Sequence, residues 1–243
     1  NQTRWRYYTS CKIRMNIIEY SNRGSRTVNQ DYVIHRSLSA DSAIFVLADG
    51  MGGYSHGEIA SQTVAESIVE YVEQNTTNYT PENLLRESIV FANDALMIKR
   101  MEIGGKKMGT VIAVLFIKGT YAYITWLGDS RVYKFSKSKM DLCTTDHSIV
   151  QQLSNKMAIT SSIYEKYAAI VTRAIMGDEI KEEIPIEVLS ITEGDTFLLC
   201  SDGFHKQLPV EEYAVSCDKV NLKCLDDMAP DMDDNYSFIK VTV

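Results

Sequence analysis

Thr110-Val111-Ile112-Ala113-Val114-Leu115-Phe116-Ile117 is apolar at every position after its first residue. A strand at the surface of a sheet alternates apolar with polar, so a strand lacking a polar face is covered on both sides. This run therefore predicts a central strand in a sandwich. Lys118-Gly119 reads as a tight turn into a second strand over 120–127, which passes through Gly128-Asp129-Ser130 into a third over 131–135.

Outward from this block, strands are expected at 16–20, 184–189, 196–200 and 236–243. Residues 57–74 read as a helix, because Ala60, Val64, Ile68, Tyr71 and Val72 recur at helical spacing. A second helix starts at Thr80-Pro81, a cap residue followed by proline, and carries Leu85, Ile89, Ala92 and Leu96 on one face. Short helices are expected over 147–153 and near 209–215. Strand blocks set apart from helix blocks predict an α+β fold of antiparallel sheets covered by helices.

Three apolar runs end in an aspartate beside a glycine: 44–48 before Asp49-Gly50, 121–127 before Gly128-Asp129, and 196–200 before Ser201-Asp202-Gly203. Asp234 stands just before the closing strand. One Asp-Gly pair reads as a hairpin turn. Recurrence at strand ends points instead to an oxygen-lined site for hard divalent cations, and so to metal-assisted hydrolysis. Gly52 and Gly53 read either as turn formers or as residues that let backbone approach an ion.

The chain has 243 residues, 45% of them hydrophobic, with only 4 prolines and no linker or repeat, which favours one domain. A net charge of −7 argues against a nucleic-acid footprint. Five cysteines at irregular spacing, with no CxxC, provide neither a disulfide nor a zinc framework and suggest a reducing, cytoplasmic setting. The longest apolar run, 111–117, is far short of a membrane span, so no membrane association is expected. Residues 1–14 read as an N-terminal extension of unclear role, and Met15 as the start of a domain over 15–243. No cysteine is followed by an arginine six positions on, and no GxxxxGK[ST] occurs, so cysteine-based phosphatase and phosphate-loop chemistries are unsupported.

In order, Arg26-Thr27-Val28-Asn29-Gln30-Asp31, Ala48-Asp49-Gly50-Met51-Gly52-Gly53, Gly57-Glu58-Ile59-Ala60-Ser61, Met108-Gly109-Thr110, Gly128-Asp129-Ser130-Arg131, Thr145-Asp146-His147-Ser148, Thr172-Arg173-Ala174, Cys200-Ser201-Asp202-Gly203 and Asp234-Asn235 resemble the PPM-type (type 2C) metal-dependent serine/threonine protein phosphatases, bacterial members especially. The resemblance covers almost everything from Tyr20 onward. It implies an α-β-β-α sandwich with the metals at one end. It also implies hydrolysis of phosphoserine and phosphothreonine by a water or hydroxide bridging two Mn2+ or Mg2+ ions.

By the same resemblance Asp49 bridges the two ions, the Gly50 carbonyl adds a ligand to one, and Asp202 and Asp234 complete the other. These aspartates are the catalytic set. Arg26 binds the substrate phosphate, and Asp31 and Gln30 stand behind the ligands, Asp31 holding metal-bound water. Asp129 reads either as a ligand of a third ion or as a turn aspartate paired with Arg131. Asp146 reads as a helix cap.

Two departures stand out. Gln30 replaces a glutamate common in the family, although several bacterial relatives share the glutamine, and metal affinity is expected to be modest. Met51 occupies the place of a histidine general acid, leaving protonation of the leaving group to water, or to a His56 expected to lie exposed. The implied partners are a phosphorylated protein substrate and an opposing serine/threonine kinase. A phosphatase-like module that binds its partner without turnover is the alternative. The stretch 155–167 takes the place of a flap over the substrate, and 204–233 looks short for the family.

Overall fold

The computed structural model describes residues 15–51, 56–215 and 222–243; the extension 1–14 and the glycines Gly52 and Gly53 lie outside the described residues. Within them the chain forms ten strands: β1 (Asn16–Asn22), β2 (Asp31–Ser39), β3 (Ser42–Gly50), β4 (Thr110–Lys118), β5 (Tyr121–Leu127), β6 (Arg131–Ser136), β7 (Lys139–Cys143), β8 (Glu187–Ser190), β9 (Thr196–Cys200) and β10 (Tyr236–Thr242). Seven α-helices accompany them: α1 (Gly57–Asn75), α2 (Pro81–Glu102), α3 (Ile149–Ser154), α4 (Ser161–Tyr167), α5 (Asp202–Gln207), α6 (Val210–Val215) and α7 (Leu222–Met228). One sheet runs β1-β10-β9-β6-β7 and the other β2-β3-β4-β5-β8, with every neighbouring pair antiparallel.

Side-chain alternation sorts the apolar residues into three cores. From β4, Ile112, Val114 and Phe116 pack beneath α1 and α2, whereas Ala113, Leu115 and Ile117 face the other sheet. Strand β3 divides the same way, Ile44, Val46 and Ala48 against Ala43, Phe45 and Leu47. In the second sheet Phe197 and Leu199 meet the sandwich interior, while Leu198 and Cys200 join Phe204, Val210 and Leu225 beneath α5, α6 and α7. The layers are therefore α-β-β-α, and the all-apolar central strand follows from cover on both faces. Leu115 is fully buried, and cutting such a side chain back to alanine costs roughly 2–5 kcal/mol. Strands held this firmly are a rigid base for groups at their ends.

Helix α2 starts as its sequence signals, with Thr80 Oγ1 accepting from the Asn83 amide at 3.4 Å and Pro81 at the first helical position. Other boundaries shift. The strand expected over 184–189 is β8, Glu187–Ser190, because Ile184 and Ile186 pack against the helix-covered core instead. The helix expected over 147–153 is α3, Ile149–Ser154, and its cap is Ser148, which accepts from the Gln151 amide at 3.2 Å. Asp146 is thus not a cap. Strands β2 and β7 and helices α4, α5 and α7 were not anticipated. Among the described residues no helix is long and apolar enough to cross a membrane.

Candidate metal centre

One end of the sandwich collects aspartates from five chain segments. Asp31 opens β2, Asp49 nearly closes β3, Asp129 follows β5, Asp202 leads from β9 into α5, and Asp234 precedes β10. The β2/β3 register places Asp31 directly across from Asp49. Like charges opposite one another in antiparallel strands are destabilising, and burial in a low dielectric makes them more so. Burial, with the charges of Asp31, Asp202, Asp129 and Asp234, holds the Asp49 carboxyl well above the usual carboxylate range. Asp31 is pushed up to about 7, first by burial and then by Asp202 and Asp234. Asp129 is pushed up to about 6 by burial and Asp202, against the pull of Lys206. Burial presses Asp202 the same way, but Lys206, together with His205 and a hydrogen bond with Asp49, outweighs it and its carboxyl lies below the ordinary value.

Local backbone chemistry fixes these positions. A Cβ on Gly50 would overlap the Gly57 carbonyl oxygen, so glycine lets the end of β3 touch the start of α1. A Cβ on Gly203 would overlap the Asn235 carbonyl, which ties the head of α5 to the entry of β10. Thr110 Oγ1 donates to the Asp49 carbonyl at 2.7 Å and the Gly50 amide donates to the Gln30 carbonyl at 3.0 Å. Asn235 is a staple: its Oδ1 accepts from the Gln30 amide at 2.8 Å, while its Nδ2 donates to the carbonyls of Arg23 and Val28 at 2.8 and 3.0 Å. The loop bearing Arg26 is thereby bound to the segment beside Asp234 that enters β10.

Whether the residues suit divalent ions can be judged from the charge balance. Asp31 Oδ2 accepts from Ser201 Oγ at 2.8 Å, but Oδ1 is buried with no hydrogen-bond partner among the described residues. Native proteins rarely leave such an atom unpaired without a further ligand. Among the described residues no three acidic, histidine or cysteine side chains close around a single point as ligands. Two carboxylates are drawn aside: Asp234 Oδ2 accepts from Arg26 Nη2 at 2.9 Å, and Asp202 Oδ2 from Lys206 Nζ at 2.7 Å. What remains is a surplus of buried carboxylate around Asp49, which fits dications supported by carboxylate, carbonyl and water oxygens.

Arg26 sits half-exposed at the rim, its Nε donating to the Asp233 carbonyl at 3.0 Å. Gln30 Nε2 donates to Glu58 Oε2 at 3.3 Å, so a carboxylate stands beside the amide. Met51 is half-buried and linked through its amide to the Gly109 carbonyl. His56 heads α1 in the left-handed region at φ 69°, one third exposed and 3.9 Å from Glu58. The reading of Asp129 as a turn partner of Arg131 is corrected. Arg131 grips Asp146 with two hydrogen bonds of 2.7 and 2.8 Å, and Asp129 faces Lys206 at 3.5 Å. Asp146 is structural, as expected, but through this ion pair. His147 supports the turn before Asp129: it stacks on Trp126, its Nδ1 accepts from the Gly128 amide at 3.2 Å, and burial lowers it to about 4.

Sequence reasoning missed Lys206 and gave Ser201, Glu58 and Asn235 no role beyond membership of the motif segments. The four-residue spacing of Asp202 and Lys206 was the one local signal, and it needed α5 to be recognised as a helix.

A cleft of about 1080 Å3 opens over the aspartates. Arg26, Asp49, Asp129, Asp202 and Asp234 line one side, and segments 169–174 and 178–182 the other. Arg173 braces that far wall, donating to the Glu183 carbonyl at 2.7 Å and pairing with Glu182 at 3.0 Å. The wall is joined to the central strand by a bridge between Thr110 and Ile175. Helix α4 lies in the stretch read as a flap and buries none of its residues.

Comparison with known proteins agrees with this geometry. A family model described as "Protein phosphatase 2C" matches residues 18–234. The "Protein phosphatase PhpP" of Streptococcus pneumoniae is 32% identical over 195 residues, 77% of this chain and 77% of that protein. The "Serine/threonine phosphatase stp" of Listeria monocytogenes is 29% identical over 177 residues, 70% of this chain and 69% of its own length. Among solved structures, the catalytic domain of serine threonine protein phosphatase PstP, in complex with 2 manganese ions, superposes with a TM-score of 0.76 at 25% identity, covering 94% of this chain and 97% of that one.

Proposed function

This chain belongs to the protein phosphatase 2C family, and we propose that its clustered aspartates hold the divalent ions on which its protein serine/threonine phosphatase activity depends. The observation that carries this assignment is the pairing of Asp31 with Asp49 across β2 and β3 inside a ring of three further aspartates. Asp49, adjacent to all of them in charge, takes the shared central role. The Gly50 carbonyl serves one side, and Asp202 and Asp234 the other. Bound there, two dications would neutralise the cluster and acidify a water for attack on phosphorus. Mn2+ is supported by the two manganese ions of the PstP catalytic domain, and Mg2+ shares the same preference for oxygen.

The chain's own groups supply the rest. Ser201 fixes Asp31 through Oδ2, which leaves Oδ1 to accept a hydrogen bond from water in the site. Arg26, held by the Asp233 carbonyl and Asp234, offers its guanidinium at the cleft mouth to two phosphoryl oxygens. As water oxygen bonds to phosphorus, the ester bond breaks and the departing serine or threonine oxygen takes a proton. Met51 cannot give one, so solvent does. The substrate class is a phosphorylated protein, pairing with a serine/threonine kinase follows by family analogy, and the cysteine pattern supports a reducing, cytoplasmic setting.

The test is hydrolysis of a phosphothreonine peptide with Mn2+ and with chelator, for the native chain and for Asp49→Asn. Turnover that needs the metal and disappears in the variant is expected. A folded native protein inert with every divalent ion would return the chain to the non-catalytic alternative.

A further inference from the structure

Lys206 is the one lysine whose ammonium enters the aspartate cluster among the described residues. Helix α5 begins at Asp202, so a side chain four residues on lies over the same face. Its Nζ stands 2.7 Å from Asp202 Oδ2 and 3.5 Å from Asp129 Oδ2, joining two carboxylates that come from different strands. Asp129 is held there from behind, its carbonyl oxygen 2.9 Å from His205 Nε2. Arg131, the nearby cation in sequence, is committed to Asp146. The lysine side chain is 32% exposed and Asp129 only 9%. An ordinary surface i,i+4 pair joins two exposed groups on one helix and contributes little. Here the second partner is buried and lies outside the helix.

A third divalent ion on Asp129 and Asp202 would need the space and the negative charge that this ammonium already takes. The residues present do not fit that ion. Resting on the reading of Asp49, Asp202 and Asp234 as ligands of an ion pair, we propose that Lys206 is a resident cation in place of a third metal, so that this phosphatase binds two divalent ions and not three. Asp129 is then the lysine's anchor, and Lys206 a positioning residue that holds Asp202 by one of its oxygens.

The test counts ions directly. Equilibrium dialysis against Mn2+ into the low millimolar range, with metal and protein measured in the retentate, is applied to the native chain, Asp129→Asn, Lys206→Asp and Lys206→Met. Two ions per chain are expected for the native protein and for Asp129→Asn, and a third, weaker ion for Lys206→Asp. Lys206→Met removes the charge at similar length and should also admit the third ion on Asp129. Three ions in the native protein, falling to two in Asp129→Asn, would overturn the proposal and leave the ion-pair reading intact. A count of two in a folded Lys206→Asp would also overturn it. Should both lysine variants fail to fold, the native chain and Asp129→Asn still decide. A native protein that holds no ion at all would refute the metal-centre reading and this inference with it.

Discussion

Strand β9 has an aspartate at each end, Asp195 buried and Asp202 half-buried, and the two are built on opposite rules. Asp195, before its first residue, accepts from Ser136 Oγ at 2.7 Å and the Thr192 amide at 3.1 Å, and pairs with Lys134 at 3.1 Å. Although burial works against it, these partners hold its carboxyl below the usual range. At the exit, Asp202 has Lys206, but among the described residues no matching cation faces its neighbours Asp31 and Asp49, which lie well above that range. A buried carboxylate with every oxygen paired is a structural joint. Several that share too few cations mark a place where the fold waits for charge from outside.

The contrast can be broken most sharply at Asp49. Its change to asparagine is expected to lower kcat on a phosphopeptide on the order of a thousandfold, comparable to losing a central charge-stabilising group, while leaving the metal-free protein as stable as before or more so. A loss of stability there, measured by urea unfolding, would make the two ends alike. The cations sharpen the comparison next. Arg26→Ala should weaken phosphopeptide binding about 10- to 100-fold, the worth of a charged hydrogen bond or two, with little change in melting temperature. Lys134→Ala at the other end should do the reverse, lowering stability and sparing turnover.

Asp195→Ala removes three partnered contacts from a buried turn, and about 2–3 kcal/mol of unfolding free energy should go with them. The smallest effect is one of pH. Asp31 has a folded value raised to about 7 from 3.8, so its contribution is greatest at low pH and declines as pH climbs through 7. His147 and His205, lowered to about 4 by burial, act oppositely between 4 and 6.5 and are silent above. Without metal, stability should therefore fall by about 1 kcal/mol between pH 6.5 and 8, and Mn2+ should remove that fall. Thermal melts at several pH values, with and without the ion, check it.

How far the sequence could be read follows the same divide. Strands β3, β4 and β9 were legible because burial on both faces makes them nearly unbroken apolar runs, and β5 and β10 because polar residues such as Thr125, Ser237 and Lys240 interrupt them only singly; an aspartate beside a glycine closes β3 and follows β5 and β9. Strand β2 was missed because it is an edge strand whose HisArgSerLeuSer end is half-exposed and carries no clean alternation. Strand β7, an exposed edge of LysMetAspLeuCys, hid for the same reason. Asp49, Asp129 and Asp202 were found from their positions after apolar runs and Asp234 from its place before one, whereas Asp31 came from the family resemblance alone. The roles of their counterparts were not found, because Lys206, Glu58 and Ser201 are ordinary residues whose meaning lies in what stands across from them. Nor could spacing show that Arg131 chooses Asp146, fifteen residues on, over Asp129, two residues back; only the folded turn orients the guanidinium.

The antiparallel pairing of β9 with β10, Cys200 opposite Phe238, carries a last implication. The chain leaves one strand and re-enters the next on the same side of the sheet, so Asp202 and Asp234 are neighbours whatever route joins them. The detour that holds α6 and α7 is free to be abbreviated or extended through descent without disturbing the carboxylates at its two feet. The distance between departure and return is set by hydrogen bonds between strands, and not by the length of the path.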